Sequence, residues 1–521
     1  MQKELSEKRQ IFIGSIISYA SLVLNILIAI FFTPFLLSKV GNVDYGIRNF
    51  ALSFVTYATV FGTGIASAYL RFANLAKNKH GEEGVKDVDG VFLKIFIVLG
   101  AIILFVGLIL SILFYLKVIP LKKYTDEQIF VISFIVFLSF FIVGFKLPFS
   151  LFVLILNFKK RFIFRNLRYL LASIFEYAFC TLFLLLGITV FKSKIIPLTI
   201  ISFASELIFG LAPLFFLLKK YKYRLHFKIN VIEKSVYKDI LAFSLLSLLI
   251  VAVMSLNDAT DKIILGFLSP MYVTIYSLTV IFNGYIRTFA DTLTVSFTPR
   301  ITEAATNNDI NKVQSNFNFV SKITTLLLCL IVFGYVACGR EFIILWLGSE
   351  REIVYYYSIP LLVGMIFLYP QHFSIQIHRA YGKQKFTAII LGLSFIFNVI
   401  LSISLIYIFM NILSPVLACV IGTFTTYVLE TIVLSIYNQK KMNLKQLNTL
   451  VIILINVLLS AAISLPTTLL IGLLNLKLIY SLLLKGAVFA TIYLLIQYFI
   501  NKKEVHMLFN QLFKRKKNEE I

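Results

Sequence analysis

Residues 11–38 contain no Asp, Glu, Lys or Arg, and stretches of this kind recur along the whole 521-residue chain. About 20 apolar residues suffice to cross the hydrocarbon layer as a helix, and a backbone inside lipid must satisfy its own polar groups. Apolar stretches bounded by charge clusters place spans near 11–37, 47–70, 93–116, 128–156, 164–191, 195–218, 239–267 and 271–298, and six more near 319–338, 354–377, 386–408, 412–437, 449–471 and 478–500. None shows the period-two alternation of barrel strands, so each reads as a helix. The expected fold is an all-α polytopic membrane protein of 14 transmembrane helices with short loops. Composition points the same way. With 59% hydrophobic and 14% charged residues, against roughly 45–50% and about 25% in ordinary soluble domains, a soluble single-core enzyme is excluded. Lys3, Lys8 and Arg9 precede the first stretch as in a signal peptide. The stretch is nevertheless far longer than the 7–15 residues of a signal h-region and ends in no small-x-small cleavage site, so it reads as an uncleaved first span.

Forty-nine Lys and Arg against 25 Asp and Glu give a formal charge of +24, which in a soluble chain would suggest nucleic acid. Here the basic residues have a topological reading instead. With a cytoplasmic N-terminus, the inner segments hold 35 of the 49, the outer loops and the outer edge of the second span hold ten, and only Lys146, Lys262, Arg287 and Lys485 fall within spans. That asymmetry puts both termini in the cytoplasm and implies contact with anionic lipid headgroups rather than nucleic acid. Cys180, Cys329, Cys338 and Cys419 lie in or beside apolar runs, with no CxxC and no His at metal-ligand spacing, so no metal or cofactor is expected.

The basic stretch KKYKYRLHFK, 219–228, divides the chain. Residues 1–218 would form one six-helix lobe, 219–238 a cytoplasmic linker, 239–437 a second six-helix lobe, and 438–521 two appended helices with a basic tail. A weak internal repeat supports the division: at an offset of 228 Ile47 aligns with Ile275, Phe54 with Phe282 and Lys94 with Lys322, and at 224 Phe149 aligns with Phe373, Ser150 with Ser374 and Lys159 with Lys383. Two similarly oriented bundles related by an axis along the membrane normal are a transporter architecture.

FLLSKVGNVDYGIRNFALSF followed by FGTGIASAYLRFANLAK resembles the opening of bacterial polysaccharide-repeat flippases, the O-antigen/capsule (Wzx-type) family of the multidrug/oligosaccharidyl-lipid/polysaccharide (MOP) superfamily. Gly41, Tyr45, Gly46, Gly62, Gly64 and Arg71 hold that family's positions. NDATDKIILGFLSPMYVTIYSL, FTPRITEA, EFIILWLGSE and HRAYGKQKFTAIILG extend the likeness over roughly residues 10–440, with Ser269-Pro270 replacing a Gly-containing turn. The resemblance implies two six-helix lobes, an inward/outward switch, and a lipid-linked oligosaccharide as cargo.

A charged side chain at the centre of a span costs at least about 2.5–3.5 kcal/mol on insertion scales, so its persistence there asks for a function or a partner. Arg287, Arg48, Arg71 and Lys146 are the candidate ligands of an anionic headgroup, because guanidinium and ammonium groups in a wet path would meet phosphate oxygens. Asp258, Asp261, Lys262 and Asp291 are candidates for coupling to H+ or Na+. Asp291 lies four residues after Arg287 and Lys262 four after Asp258, so internal ion pairing is the competing reading of both sets. Glu176, Glu206 and Glu430 read as helix–helix partners, and Tyr19, Asn25, Asn283 and Asn398 as packing residues. Lys485, in the fourteenth span, falls outside the candidate set.

No GxxxxGK[ST] motif occurs, and no loop offers a cluster of polar residues for hydrolysis or group transfer. The chain therefore reads as a non-enzyme: a flippase of the bacterial cytoplasmic membrane carrying a polyprenyl-pyrophosphate-linked oligosaccharide, working alongside glycosyltransferases and a polysaccharide polymerase. A drug/cation antiporter of the same superfamily is the first alternative. A membrane polysaccharide polymerase or ligase is the second, disfavoured by the short outer loop near 339–353.

Overall fold

The computed structural model describes residues 7–223, 234–307, 309–409 and 411–501; the central part of the expected linker, 224–233, and the tail 502–521 lie outside the described residues. Among the described residues the chain is helical, with one isolated bridge between Val190 and Ser193. Two compact units divide it, Met1–Ser277 and Leu278–Ile521. The first holds α1 (Glu7–Tyr115), α2 (Asp126–Phe158), α3 (Phe162–Leu185), α4 (Ile196–Tyr221), α5 (Lys234–Leu268) and most of α6 (Pro270–Thr279). The second holds α7 (Ile281–Thr306), α8 (Ile310–Leu347), α9 (Ile353–His372), α10 (Ser374–Ala380), α11 (Gln384–Ile408), α12 (Pro415–Met442), α13 (Leu447–Gly472) and α14 (Leu478–Ile500).

Among the described residues, ten helices are long and apolar enough to cross a membrane, eleven when the bent α5 is included. This number treats α1 as one helix, although its hydrogen bonding runs across two breaks: Gly41 (φ 83°, ψ 170°) and Gly81 (φ 63°, ψ −147°). Both sit at positive φ, where any other side chain would be strained. They fall between the first and second, and the second and third, expected spans. The seventh expected span is bent by 53° between Ala242–Val253 and Ser255–Leu268, and the eighth is divided between α6 and α7. Elsewhere local chemistry sets the ends. Thr125 and Gln128 form a reciprocal capping box ahead of α2, with Asp126 and Glu127 in the first turn. Ser414 caps α12, and Pro415 occupies its first turn, where a missing N–H costs nothing.

In the first unit, small residues bring helix backbones into contact. A Cβ on Gly100 would meet the Gly144 carbonyl oxygen at 2.5 Å, and a Cβ on Gly64 would meet the Leu248 Cα at 2.5 Å. The outer part of α5 is held to α1 and its neighbours by polar bonds as well: Tyr57 and Thr260 share a hydrogen bond of 2.5 Å, and the Tyr124 hydroxyl donates to the Gly266 carbonyl at 2.6 Å.

In the second unit, α13 and α14 share one hydrophobic core with α7, α8, α9 and α12. Ile453, Ile463, Phe489 and Tyr493 pack with Ile286, Phe333, Leu362, Met365 and Tyr427. A buried ion pair fixes the register: Lys485 Nζ donates to Glu341 Oε1 at 2.5 Å, Ser481 donates to the same oxygen at 3.1 Å, and both charged side chains are 5% exposed. Lys485, unassigned from sequence, thus docks α14 on α8. Removing one partner of such a pair strands the other in low dielectric. Lys485→Ala is expected to cost about 3–5 kcal/mol, seen as a lower apparent Tm in detergent, whereas Lys485→Met combined with Glu341→Leu recovers most of the loss.

Candidate functional site

Four helical segments of the first unit enclose a cavity of about 550 Å³. α1 contributes Thr59, Gly62, Thr63 and Ala66, two of them small and two hydroxylic. α2 contributes an apolar wall, Ile142, Leu147, Phe149 and Val153, interrupted by Lys146, Ser150 and Asn157, while α3 adds Arg165, Arg168 and Tyr169 and α4 adds Glu206 and Gly210. The size is that of a small-molecule site. From Lys146 to Asn157 the lining runs along about 16 Å of α2, at 1.5 Å per residue, from its mid-part to its end at the 157–168 segment.

Three cations and one carboxylate among the lining residues leave a positive excess. Lys146 is paired with Glu206 across α2 and α4, with side chains 41% and 32% exposed. Arg165 donates from Nη1 to Asn157 Oδ1 at 2.7 Å and from Nε to Asn166 Oδ1 at 2.8 Å. Arg168 is only 6% exposed, stacks its guanidinium 4.1 Å from the Tyr169 ring centroid, and donates from Nη1 to the Phe209 carbonyl at 3.0 Å. Its buried Nε has no hydrogen-bond partner. A planar guanidinium held by one arm and stacked on one face keeps donors for an oxyanion, which the apolar wall would shield from water.

Of the candidate headgroup and ion-coupling residues, Lys146 lies in this cavity and the others do not, and Glu206, read as a helix–helix partner, lines it too. Arg48 is half-buried elsewhere on α1, within electrostatic reach of Tyr177 and Cys180 on α3, and its buried Nε makes no hydrogen bond. Arg71 is exposed and lies over the Phe243 ring at 4.6 Å. Asp261 is fully buried and accepts the Tyr276 hydroxyl at 2.6 Å, tying α5 to α6, and Asp258 and Lys262 interact electrostatically on the same helix. In the second unit Arg287 donates from Nε to the Tyr369 hydroxyl at 3.3 Å, and Asp291 is exposed. The membrane carboxylates are paired across helices: Glu176 accepts Ser202 Oγ at 2.5 Å, Glu206 takes Lys146, and Glu430 contacts His372 Nε2 at 2.8 Å.

Arg165 and Arg168 escaped the sequence reading because they count among the basic residues of an inner segment. Their signal was the i, i+3 spacing of Arg165 and Arg168, which puts both on one face of α3.

The MatE family model matches residues 244–404. No curated protein sequence is similar enough to match. Among solved structures, the lipid II flippase MurJ in an inward closed conformation superposes with a TM-score of 0.68 at 16% identity, covering 94% of this chain and 100% of that one. An inward-facing MATE-family multidrug resistance transporter of the MOP superfamily gives 0.58 at 14% identity, covering 77% and 94%. A MOP-superfamily transporter from Pyrococcus furiosus gives 0.56 at 15%, covering 84% and 96%. The fold is that of the MOP-superfamily transporters. All three are named as transporters or flippases rather than enzymes, and at these identities the likeness is one of fold.

Beyond the cavity end of α2, outside the spans, lies a buried carboxylate. Asp89 is 3% exposed and accepts the Tyr69 hydroxyl at 2.6 Å and the Tyr223 hydroxyl at 2.9 Å, so it ties the end of α4 to the segment after Gly81. Burial pushes its pKa up from 3.8 to about 6, against the two hydroxyls and Lys159, which favour the carboxylate. A carboxyl whose folded pKa is raised stabilises the fold below the unfolded value and loses that contribution as pH rises through the folded one. Asp89→Asn keeps an acceptor for Tyr69 without the charge. Its apparent Tm in detergent is expected to gain on the wild type between about pH 4 and 6 and to hold a constant lead above that.

Proposed function

We propose that this chain is a flippase that carries a polyprenyl-pyrophosphate-linked oligosaccharide across the bacterial cytoplasmic membrane by alternating access, for cell-surface polysaccharide assembly. The observation that carries the reading is the cation-lined cavity, in which Arg165, Arg168 and Lys146 outnumber Glu206 along a wall otherwise apolar. A diphosphate needs charge neutralisation to enter a membrane interior, whereas the polyprenyl tail needs none and stays in lipid. Likeness of fold to a structure named as the lipid II flippase, along nearly the whole of both chains, supports a lipid-linked cargo.

In this reading Arg168 and Arg165 grip the headgroup, and Lys146 exchanges Glu206 for phosphate oxygen as cargo arrives. Thr59, Thr63 and Ser150 offer hydroxyls to the sugars. Arg48, Arg71 and Arg287 are further cationic stations on the path, and Asp258, Asp261, Lys262 and Asp291 take part in ion coupling. The moving parts are residues 1–218 and 239–437, both termini are cytoplasmic, and glycosyltransferases and a polymerase supply and consume the cargo.

In proteoliposomes with a fluorescent polyprenyl-pyrophosphate glycan, Arg168→Ala is expected to slow translocation at least about tenfold, the effect of losing one charge-assisted contact of about 1.4 kcal/mol or more. Arg168→Lys restores part of the rate. Wild-type speed in Arg168→Ala at equal protein level overturns the site. Organic-cation transport by the wild type without glycan-lipid transport would instead identify an antiporter.

A further inference from the structure

The tenth expected span, 354–377, falls within one apolar span, Ile353–Ala380, that is divided at Phe373 between α9 and α10. Helical hydrogen bonding lapses at Phe373, which itself keeps helical backbone angles (φ −60°, ψ −30°). The Pro370 carbonyl accepts Ser321 Oγ at 2.8 Å from α8. Around this interruption the second unit buries polar atoms that nothing satisfies. Gln371 and Ser374 are both fully buried, yet neither side-chain atom of Gln371 nor the hydroxyl of Ser374 has a hydrogen-bond partner. Buried groups of this kind are normally paired.

At the centre of the break stands His372, 8% exposed, with Nε2 2.8 Å from Oε1 of Glu430 on α12, itself 4% exposed. Its other nitrogen, Nδ1, is buried and makes no hydrogen bond. His378, six residues on, is the contrasting case. Its Nδ1 meets Thr387 Oγ1 and its Nε2 meets Asn438 Oδ1, each at 2.7 Å, so one neutral tautomer uses both nitrogens.

We infer that the His372–Glu430 pair at the interruption of the tenth span is a proton-binding site through which the transport cycle is coupled to a proton gradient. This rests on the transport reading above and adds to it the identity of the ion and the groups that hold it. With Nε2–H donated to Glu430, a proton arriving from water adds to the lone pair on Nδ1. The pair then passes from a net charge of −1, neutral imidazole beside carboxylate, to zero, imidazolium beside carboxylate. Gln371 and Ser374 place further unpaired polar atoms next to His372 along the chain.

The other groups facing the pair come from each packed element. α7 presents Asp291 and Arg287, α9 the Tyr369 ring at 5.4 Å from the imidazole, and α10 Arg379; Asp291 is within electrostatic reach of His372, Arg287 and Arg379. A metal ion is the poorer occupant. Hard cations take several oxygen ligands, an imidazole nitrogen suits them badly, and among the described residues no group of three His, Cys, Asp or Glu could hold one.

Two measurements on the full-length protein test the proposal. In proteoliposomes with the membrane potential clamped, an imposed gradient of about one pH unit is worth up to tenfold in the steady-state distribution of the fluorescent glycan-lipid between leaflets, for one coupled proton. The wild type is expected to show such a shift, and His372→Gln and Glu430→Gln to return the ratio to about one. Because the readout is a distribution rather than a rate, slow variants still report it. Separately, NMR of histidine-labelled protein in nanodiscs is expected to show a His372 resonance that titrates and moves in Glu430→Gln. A His372→Gln variant that keeps the wild-type shift, or a wild type that moves cargo without responding to the gradient, overturns the proton site while leaving the flippase reading standing. A wild type that moves no glycan-lipid under any condition overturns the flippase reading; the NMR titration then decides the proton site on its own.

Discussion

A charged or hydrogen-bonding group in hydrocarbon must find a partner, and the described structure is organised by how each such group finds one. Lys146 reaches Glu206, Lys485 reaches Glu341, Glu176 takes Ser202, Asp261 takes Tyr276, and Glu430 takes His372. Each contact joins two helices, so the penalty for isolated charge fixes helix pairing and register together. The groups that are incompletely satisfied are correspondingly informative. Arg168 keeps an idle Nε beside a cavity, and His372, Gln371 and Ser374 keep idle atoms at a broken helix.

The backbone obeys the same constraint. Only a helix satisfies its own amides in lipid, so interruptions are few, and the two in α1 have a cause in the positive φ of Gly41 and Gly81. Where backbones approach closely, as at Gly100 and Gly144, the absence of side chains allows it. Such packing places α2 against α1 and α4, and the space left between α1, α2, α3 and α4 becomes the cavity. Apolar packing thereby fixes the polar site.

Much of the fold was legible because hydropathy is a local property. Most helices cover the uncharged stretches, the two glycine breaks separate the first three expected spans, and the bend in the seventh and the division of the eighth had no hydropathy signal. The candidate site was legible only in part. Lys146 was visible as a charge in mid-span, but Arg165 and Arg168 were hidden by counting them as loop charges, since a cation near a span end looks the same whether it snorkels to headgroups or turns into a cavity. His372 carried no sequence signal: one histidine in an apolar span says nothing until Glu430, 58 residues away, is found beside it.

Sequence alone determined that this chain is a bundle of membrane helices, roughly where its apolar segments lie, and which charged residues had to be accounted for inside them. These follow from the length and polarity of each segment, and no distant contact alters them. Tertiary structure alone decided which charge answers which: that Lys146 takes Glu206, that Lys485 docks α14 rather than standing idle, that Arg168 faces a cavity, and that His372 meets Glu430 at a break. The physical reason is that pairing depends on the rotation of each helix about its axis and on its neighbour. Close packing of small residues sets both, and hydropathy does not encode either.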